Sequence, residues 1–291
     1  MTQTAALPAR GVIEIRGEDR VTFLQGLVSN DITAAAPGRA VWTALLTPQG
    51  KWLADFFVLA AGGRAAGGLA DDRPVAGAQS GSECLLLECE RAQVAMLVPR
   101  LARFRLRSKV TVTARDDLSV FVAWGGSVPE ADVVAPDPRL PDAGWRLLSA
   151  APLDTNATAA DWDLHRLRLG LPDGSADLEP EKTVLLEAGF DELHGVAWDK
   201  GCYMGQELTA RTKYRGLVKR RLVPVTVDGK LPAPGTPVLR DGTEVGTMRS
   251  GRDVLGLAVL RLEALRGDLT CGDARLTPHI PDWMRLPEAV S

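Results

Sequence analysis

RLVPVTVDGKLPAPGTPVLRDGTEVGTMRSGRDVLGLAVL, residues 221–260, is a succession of short apolar runs cut by glycine and proline. The runs Leu222–Val227, Pro237–Leu239, Val245–Met248 and Leu255–Leu260 have strand length, and turn residues separate each from the next. Strands this short, punctuated this regularly, predict a small β-barrel of about seventy residues. The chain therefore divides at 218/219, with a barrel over 219–291 and an α+β body of two intertwined subdomains over 1–218.

Upstream the texture is different. Val12, Ile13 and Ile15 read as a strand that Gly17 ends, and Val21, Leu24, Leu27 and Val28 form one apolar helical face over 18–29. Val41–Leu46 and Trp52–Leu59 are strands joined by the turn Thr47-Pro48-Gln49-Gly50, a hairpin that carries Lys51 and Asp55. Residues 60–82, rich in Gly and Ala, read as a loose connection. A strand at Cys84–Cys89, a helix through Ala92, Met96, Leu97 and Leu101, and strands at Val110–Thr113 and Ser119–Trp124 follow. Residues 128–142 read as a Pro- and Asp-rich loop, and Asp161–Leu169 as a helix with Trp162 near its start.

The 291 residues are 45% hydrophobic and 24% charged, which excludes disorder and a fibrous rod. A formal net charge of −3 argues against a surface built as a whole to bind nucleic acid, so any anion site is local. Residues 1–17 hold no apolar stretch of signal-peptide length, and no window has the run of apolar residues of a membrane span. The expected location is the cytoplasm, or the mitochondrial matrix in a eukaryote, with no membrane contact. Cys84, Cys89, Cys202 and Cys271 make no disulfide framework and are expected as reduced thiols.

Phosphate-loop, dinucleotide-fold, nucleophile-elbow and zinc-protease motifs are absent. His165, His194 and His279 are scattered, which favours structural roles, and no metal site is expected. The densest segment is Trp198-Asp199-Lys200-Gly201-Cys202-Tyr203-Met204-Gly205-Gln206-Glu207-Leu208-Thr209-Ala210-Arg211. Cys202 follows Lys200, sits among glycines, and precedes a helical run from Gln206. A cation and a helix start both favour a thiolate, which is the nucleophilic and metal-binding form. The other reading is a glycine-rich turn whose small thiol fills a gap. Arg211, Lys213, Arg215, Lys219, Arg220 and Arg221 then form a basic run with no intervening acid, and Arg100, Arg103, Arg105, Arg107 and Lys109 form another. Each is either a solvated face or a site for phosphate, nucleic-acid backbone or a polycarboxylate such as a glutamate tail.

Lys200-Gly201-Cys202-Tyr203-x-Gly205-Gln206-Glu207 resembles the K-G-C-Y-x-G-Q-E signature of the YgfZ family, folate-binding proteins related to the T-protein aminomethyltransferase of glycine cleavage. Phe23–Asp31 (FLQGLVSND) resembles the family's early block, and Leu45–Lys51 (LLTPQGK) its hairpin. Leu101–Val110, Leu186-Glu187-Ala188, Leu193–Val196, Arg215-Gly216 and Arg220–Leu222 fit in the same order. The resemblance implies an α+β, T-protein-like body around a central folate-sized cavity, followed by the barrel. It further implies a tetrahydrofolate-binding accessory factor in assembly or repair of iron-sulfur proteins, particularly those with [4Fe-4S] clusters.

In that reading Cys202 is the working thiol and a shared ligand to a transient iron-sulfur cluster, in contact with a carrier or client protein. Lys200 and Asp55 complete the reactive set. Trp162 presents its indole to the flat pterin, and Asn30, Asp31, Lys51, Glu187, Tyr203, Gln206, Glu207 and Arg211 line or shape the folate and thiol sites. The chain departs from the pattern at two places. Arg10 stands where a second family tryptophan is expected, and Ala54-Asp55 replaces the T-protein's paired aspartates. Loss of one carboxylate disfavours aminomethyl transfer, which needs an acid-base group on the folate nitrogens. A folate-dependent one-carbon transferase using Asp55 is the alternative, so enzymatic turnover is left open. An RNA-binding or tRNA-modification role is a further alternative, disfavoured by the acidic total and by Tyr214 being the sole aromatic of residues 211–221.

Overall fold

The computed structural model describes residues 1–61 and 84–286. The loose connection expected over 60–82 lies, from residue 62 onward, outside the described residues.

The chain opens with β1 (Gln3–Ala6), β2 (Arg10–Arg16), α1 (Arg20–Gln25), β3 (Val41–Leu46), β4 (Trp52–Ala61) and β5 (Cys84–Glu90). Next come α2 (Arg91–Arg103), β6 (Thr111–Ala114), β7 (Ser119–Trp124), β8 (Val133–Pro136), β9 (Trp145–Ser149), α3 (Ala159–Leu169), α4 (Gly174–Asp177) and α5 (Gln206–Tyr214). β2, β5, β4, β3 and β6 form a five-stranded sheet in the order β3-β4-β5-β2-β6, and β1-β7-β9-β8 form a second sheet. β4 and β5 are buried along almost their whole length, which is why they read as continuous apolar runs without alternation. Cys84 and Cys89, five positions apart on β5, therefore both end up buried although they point to opposite faces. The expected helix over 18–29 is shorter than its apolar stripe, ending at Gln25 with Gly26 as its cap.

The final strands are β10 (Arg220–Asp228), β11 (Pro237–Arg240), β12 (Thr243–Arg252), β13 (Leu255–Arg261), β14 (Leu269–Cys271) and β15 (Ala274–Pro278). They close into a barrel in the order β10-β13-β12-β11-β14-β15, with β15 pairing back onto β10. Closure leaves no exposed edge for pairing with another chain. Its core includes Val223, Val225, Val238, Met248, Ala258 and Leu276. The four expected strands are present, and β14 and β15 complete the ring. Among the described residues no helix is long and apolar enough to cross a membrane.

Two compact units are distinguished. The first comprises Met1–Ala44, Asp55–Ala159 and Gly195–Tyr203, and the second Leu45–Ala54, Ala160–His194 and Met204–Ser291. The hairpin tip thus belongs with the barrel-bearing unit, and the signature segment changes units between Tyr203 and Met204.

The interior of the first unit is unusual in its charge. Glu88 on β5, wholly buried, accepts hydrogen bonds at Oε1 from Arg10 Nε (2.8 Å) and from an Arg146 terminal nitrogen (3.0 Å). Arg146 also donates to Asp137 (3.1 Å), which receives Arg139 as well (2.8 Å). All five side chains are buried. Burial alone would raise the Asp137 carboxyl, but the Arg139 and Arg146 guanidiniums outweigh it and hold the group at about 2. The Phe57 ring lies beside these cations, its centroid 4.0 Å from the Arg146 guanidinium carbon and 4.9 Å from that of Arg139. Arg10, at the position where the resemblance expects tryptophan, is one end of this chain of charges.

Candidate functional site

In the first unit the signature segment is tied down by Lys200. Its ammonium donates to the carbonyls of Gln25 (2.8 Å), Val28 (2.7 Å) and Asn30 (2.6 Å), so all three protons have acceptors. Its Nζ lies 5.1 Å from the Tyr203 ring centroid, and Tyr203 is buried. Burial pushes the amine down to about 8, with Asp31 acting in the opposite direction. The carbonyls that Lys200 gathers belong to the FLQGLVSND block, which explains why the two motifs occur together. Asn30 and Asp31 build the same turn. Asn30 donates from its amide to the Trp42 carbonyl (2.8 Å) and accepts from Asp31 N–H (2.9 Å). Asp31 accepts from the Thr33 hydroxyl (2.7 Å) and from Gln25 (2.9 Å), and its carboxyl is lowered, chiefly by Thr33.

Cys202 stands exposed on this anchored segment, and a Cβ built at the neighbouring Gly201 would meet nothing within 4 Å. The other three thiols are buried. Burial pushes Cys89 up to about 12 and Cys271 up to about 11, and raises Cys84 with Glu14 adding to the effect. A thiol must ionise to act as nucleophile or metal ligand. Cys202 is thus the one cysteine that solvent and a macromolecular partner can reach. Among the described residues no group of three or more His, Cys, Asp or Glu side chains is placed to hold a metal ion.

Asp55 is also in the first unit, only 4% exposed, and its Oδ2 accepts from the Trp42 indole nitrogen at 3.0 Å. Ala54 beside it is fully buried.

The second unit holds the remaining candidates. Gly205 (φ +81°) and Gly50 (φ +80°) meet backbone to backbone: a Cβ on Gly205 would lie 2.6 Å from the Thr47 carbonyl, and one on Gly50 2.6 Å from that of Gly205. Both the left-handed conformation and the close approach demand glycine. The hairpin motif and the signature motif are thereby locked together, and α5, with Gln206, Glu207 and Arg211, starts directly after Gly205. Glu187, in the short 3-10 turn Leu185–Ala188, lines a pocket of about 160 Å³ with Glu179, Lys182, Arg220 and Arg249. Burial raises its carboxyl, and the positive charges of Arg220 and Lys51 oppose the rise. Trp162 on α3 is 4% exposed, its ring 5.5 Å from that of His165.

The sequence reading missed the arginine-carboxylate chain of the first unit and a second one, in which buried Arg166 donates to Asp177 (2.7 Å) and Asp163 (2.7 Å). Arg10 in a tryptophan position was the one available signal.

Residues 219–286 match the family model described as CAF17, C-terminal beta-barrel domain. Across 95% of its length the chain is 31% identical to the mitochondrial iron-sulfur cluster assembly factor IBA57 of Mus musculus, and 33% identical to that of Homo sapiens, covering 84% of each. It is 37% identical to the IBA57 homolog of Mycosarcoma maydis over 76% of this chain and 56% of that one. Among solved structures, the glycine cleavage system aminomethyltransferase T from Bartonella henselae shares the fold, with a TM-score of 0.70 over 97% of this chain and 86% of the other, at 13% identity.

Proposed function

The chain belongs to the family of the iron-sulfur cluster assembly factor IBA57, and from that premise we propose that it assists assembly of iron-sulfur proteins through Cys202, with a reduced folate as its small-molecule ligand. The observation that carries the mechanism is the contrast among the thiols: one exposed on a strapped loop, three sealed in the interior. A cluster is cargo here. One thiol supplies one ligand, and with no metal-holding group among the described residues the rest come from a carrier or client protein. The narrower kinship with YgfZ belongs to the same proposal.

For the folate, the Glu187 pocket offers suitable chemistry. A carboxyl raised by burial pairs with the nitrogen-rich edge of a pterin, and Lys51 and Arg220 supply positive charge nearby. Stacking on Trp162 requires that its ring be uncovered. A transferase using Asp55 is less well supported, because that carboxylate is enclosed and engaged by Trp42. The murine and human relatives are mitochondrial by name, and for a eukaryotic chain the same compartment is proposed.

The test is anaerobic titration of wild type and Cys202→Ala with tetrahydrofolate and with a carrier protein loaded with a [2Fe-2S] cluster. The variant should bind folate as wild type does and lose its response to the loaded carrier. An unchanged response overturns the thiol mechanism, and no folate binding by either protein overturns the ligand.

A further inference from the structure

The second unit carries a cleft of about 700 Å³ lined by Lys219, Arg220, Arg261, Arg266 and Glu263. Arg220 on β10 and Arg261 on β13 are direct cross-strand partners, a placement in which like charges repel. Neither Lys219, Arg220 nor Arg266 forms an ion pair among the described residues, and Arg261 reaches Glu263 only at 3.8 Å with both side chains about half exposed or more. That contact is too long and too wet to neutralise the cluster. The wall is also fixed in place: Arg240 donates to the carbonyls of Glu263 (2.6 Å) and Arg266, bracing the turn that bears Arg266. Four cations held around one cleft, two of them opposed across a ladder, make a preformed site for a multivalent anion.

Its position narrows the anion's chemistry. Arg220 also lines the 160 Å³ pocket of Glu187, so one residue borders both spaces. The smaller pocket alone falls below the range of about 300–1,000 Å³ that small-molecule sites occupy. We propose that this cleft is a polycarboxylate site that receives the glutamyl chain of a folate whose ring lies against Glu187. The inference rests on the folate reading above and adds to it a preference for the number of glutamates. Arginines suit this ligand, because each guanidinium takes a carboxylate in two parallel hydrogen bonds.

The experiment compares tetrahydrofolate carrying one glutamate with the same molecule carrying five, by calorimetry on the whole protein and on an Arg261→Ala/Arg266→Ala variant. Free penta-γ-glutamate and pyrophosphate are the remaining probes. The five-glutamate form should bind about tenfold more tightly at low salt. The advantage should shrink at about 0.5 M salt and vanish in the variant, while one-glutamate binding and the melting temperature stay unchanged. Equal affinity for the two forms, or a variant that keeps the advantage, overturns the inference and leaves the folate reading intact. If neither folate binds but free penta-γ-glutamate binds in a variant-sensitive way, the cleft stands and the folate reading fails. Pyrophosphate binding as tightly as penta-γ-glutamate overturns the assignment to carboxylates.

Discussion

Replacing Lys200 with Met keeps the aliphatic stem and removes the ammonium that ties the signature segment to the carbonyls of Gln25, Val28 and Asn30. Hydrogen bonds to a charged group contribute about 1.5–3 kcal/mol each where water is excluded. Lys200 is only half-buried, so water recovers part of that, and roughly half the total, about 2–4 kcal/mol, should be lost. Urea unfolding at pH 7 is the assay, since an amine lowered to about 8 is still charged there. Because the chain has two compact units, the loss should fall on the transition that reports the first. Lys200→Arg should recover only part of it, because a planar guanidinium cannot aim three donors at one cup of carbonyls. A loss below about 0.5 kcal/mol in Lys200→Met would show that water already satisfies these carbonyls and that Lys200 is no strap.

Glu88→Gln leaves Arg10 and Arg146 sharing a neutral amide in a sealed interior, and should cost about 3–5 kcal/mol by denaturant unfolding; a loss near zero would mean the guanidiniums are hydrated. Asp137, held at about 2 against an ordinary 3.8, favours the folded state above about pH 4, and that contribution, about 2 kcal/mol, should disappear as pH falls from 4 to 2. A stability profile flat across that window would contradict the buried pairing. Brief alkylation of the native protein followed by peptide mass mapping should label Cys202 alone, with Cys84, Cys89 and Cys271 reacting only on unfolding. Early labelling of Cys271 would place that thiol nearer solvent than its full burial allows.

What was legible in the sequence was what repeats locally. The strands β2, β3, β4, β5 and β7 and the helix α3 follow from apolar runs and the turn at Thr47–Gly50. The barrel follows from its punctuation. β8 was hidden because it lies inside the Pro- and Asp-rich stretch 128–142, which reads as solvated loop, and β9 directly follows that stretch. Its Asp137 and Arg139 are in fact interior, neutralised by each other and by Arg146 and Glu88, which come from β9 and β5. Long-range charge pairing leaves no periodic trace in a chain. The same holds for the site. Cys202 was singled out by its neighbours, yet Lys200, read as part of the reactive set, holds the segment through carbonyls some 170 residues away in sequence. Gly50 and Gly205 were each visible as motif glycines, but their mutual contact was not, since backbone approach is a property of the pair.

The proposed role of Cys202 places its exposed thiol in cluster assembly. It is tested most directly by reconstituting a [4Fe-4S] enzyme from its apo form with a loaded carrier, in the presence of wild type or Cys202→Ala, and following enzyme activity and the cluster's absorbance. Wild type should accelerate activation, and the variant, folded and melting at the same temperature, should give the rate seen with no factor added. Activation by Cys202→Ala at the wild-type rate would contradict it.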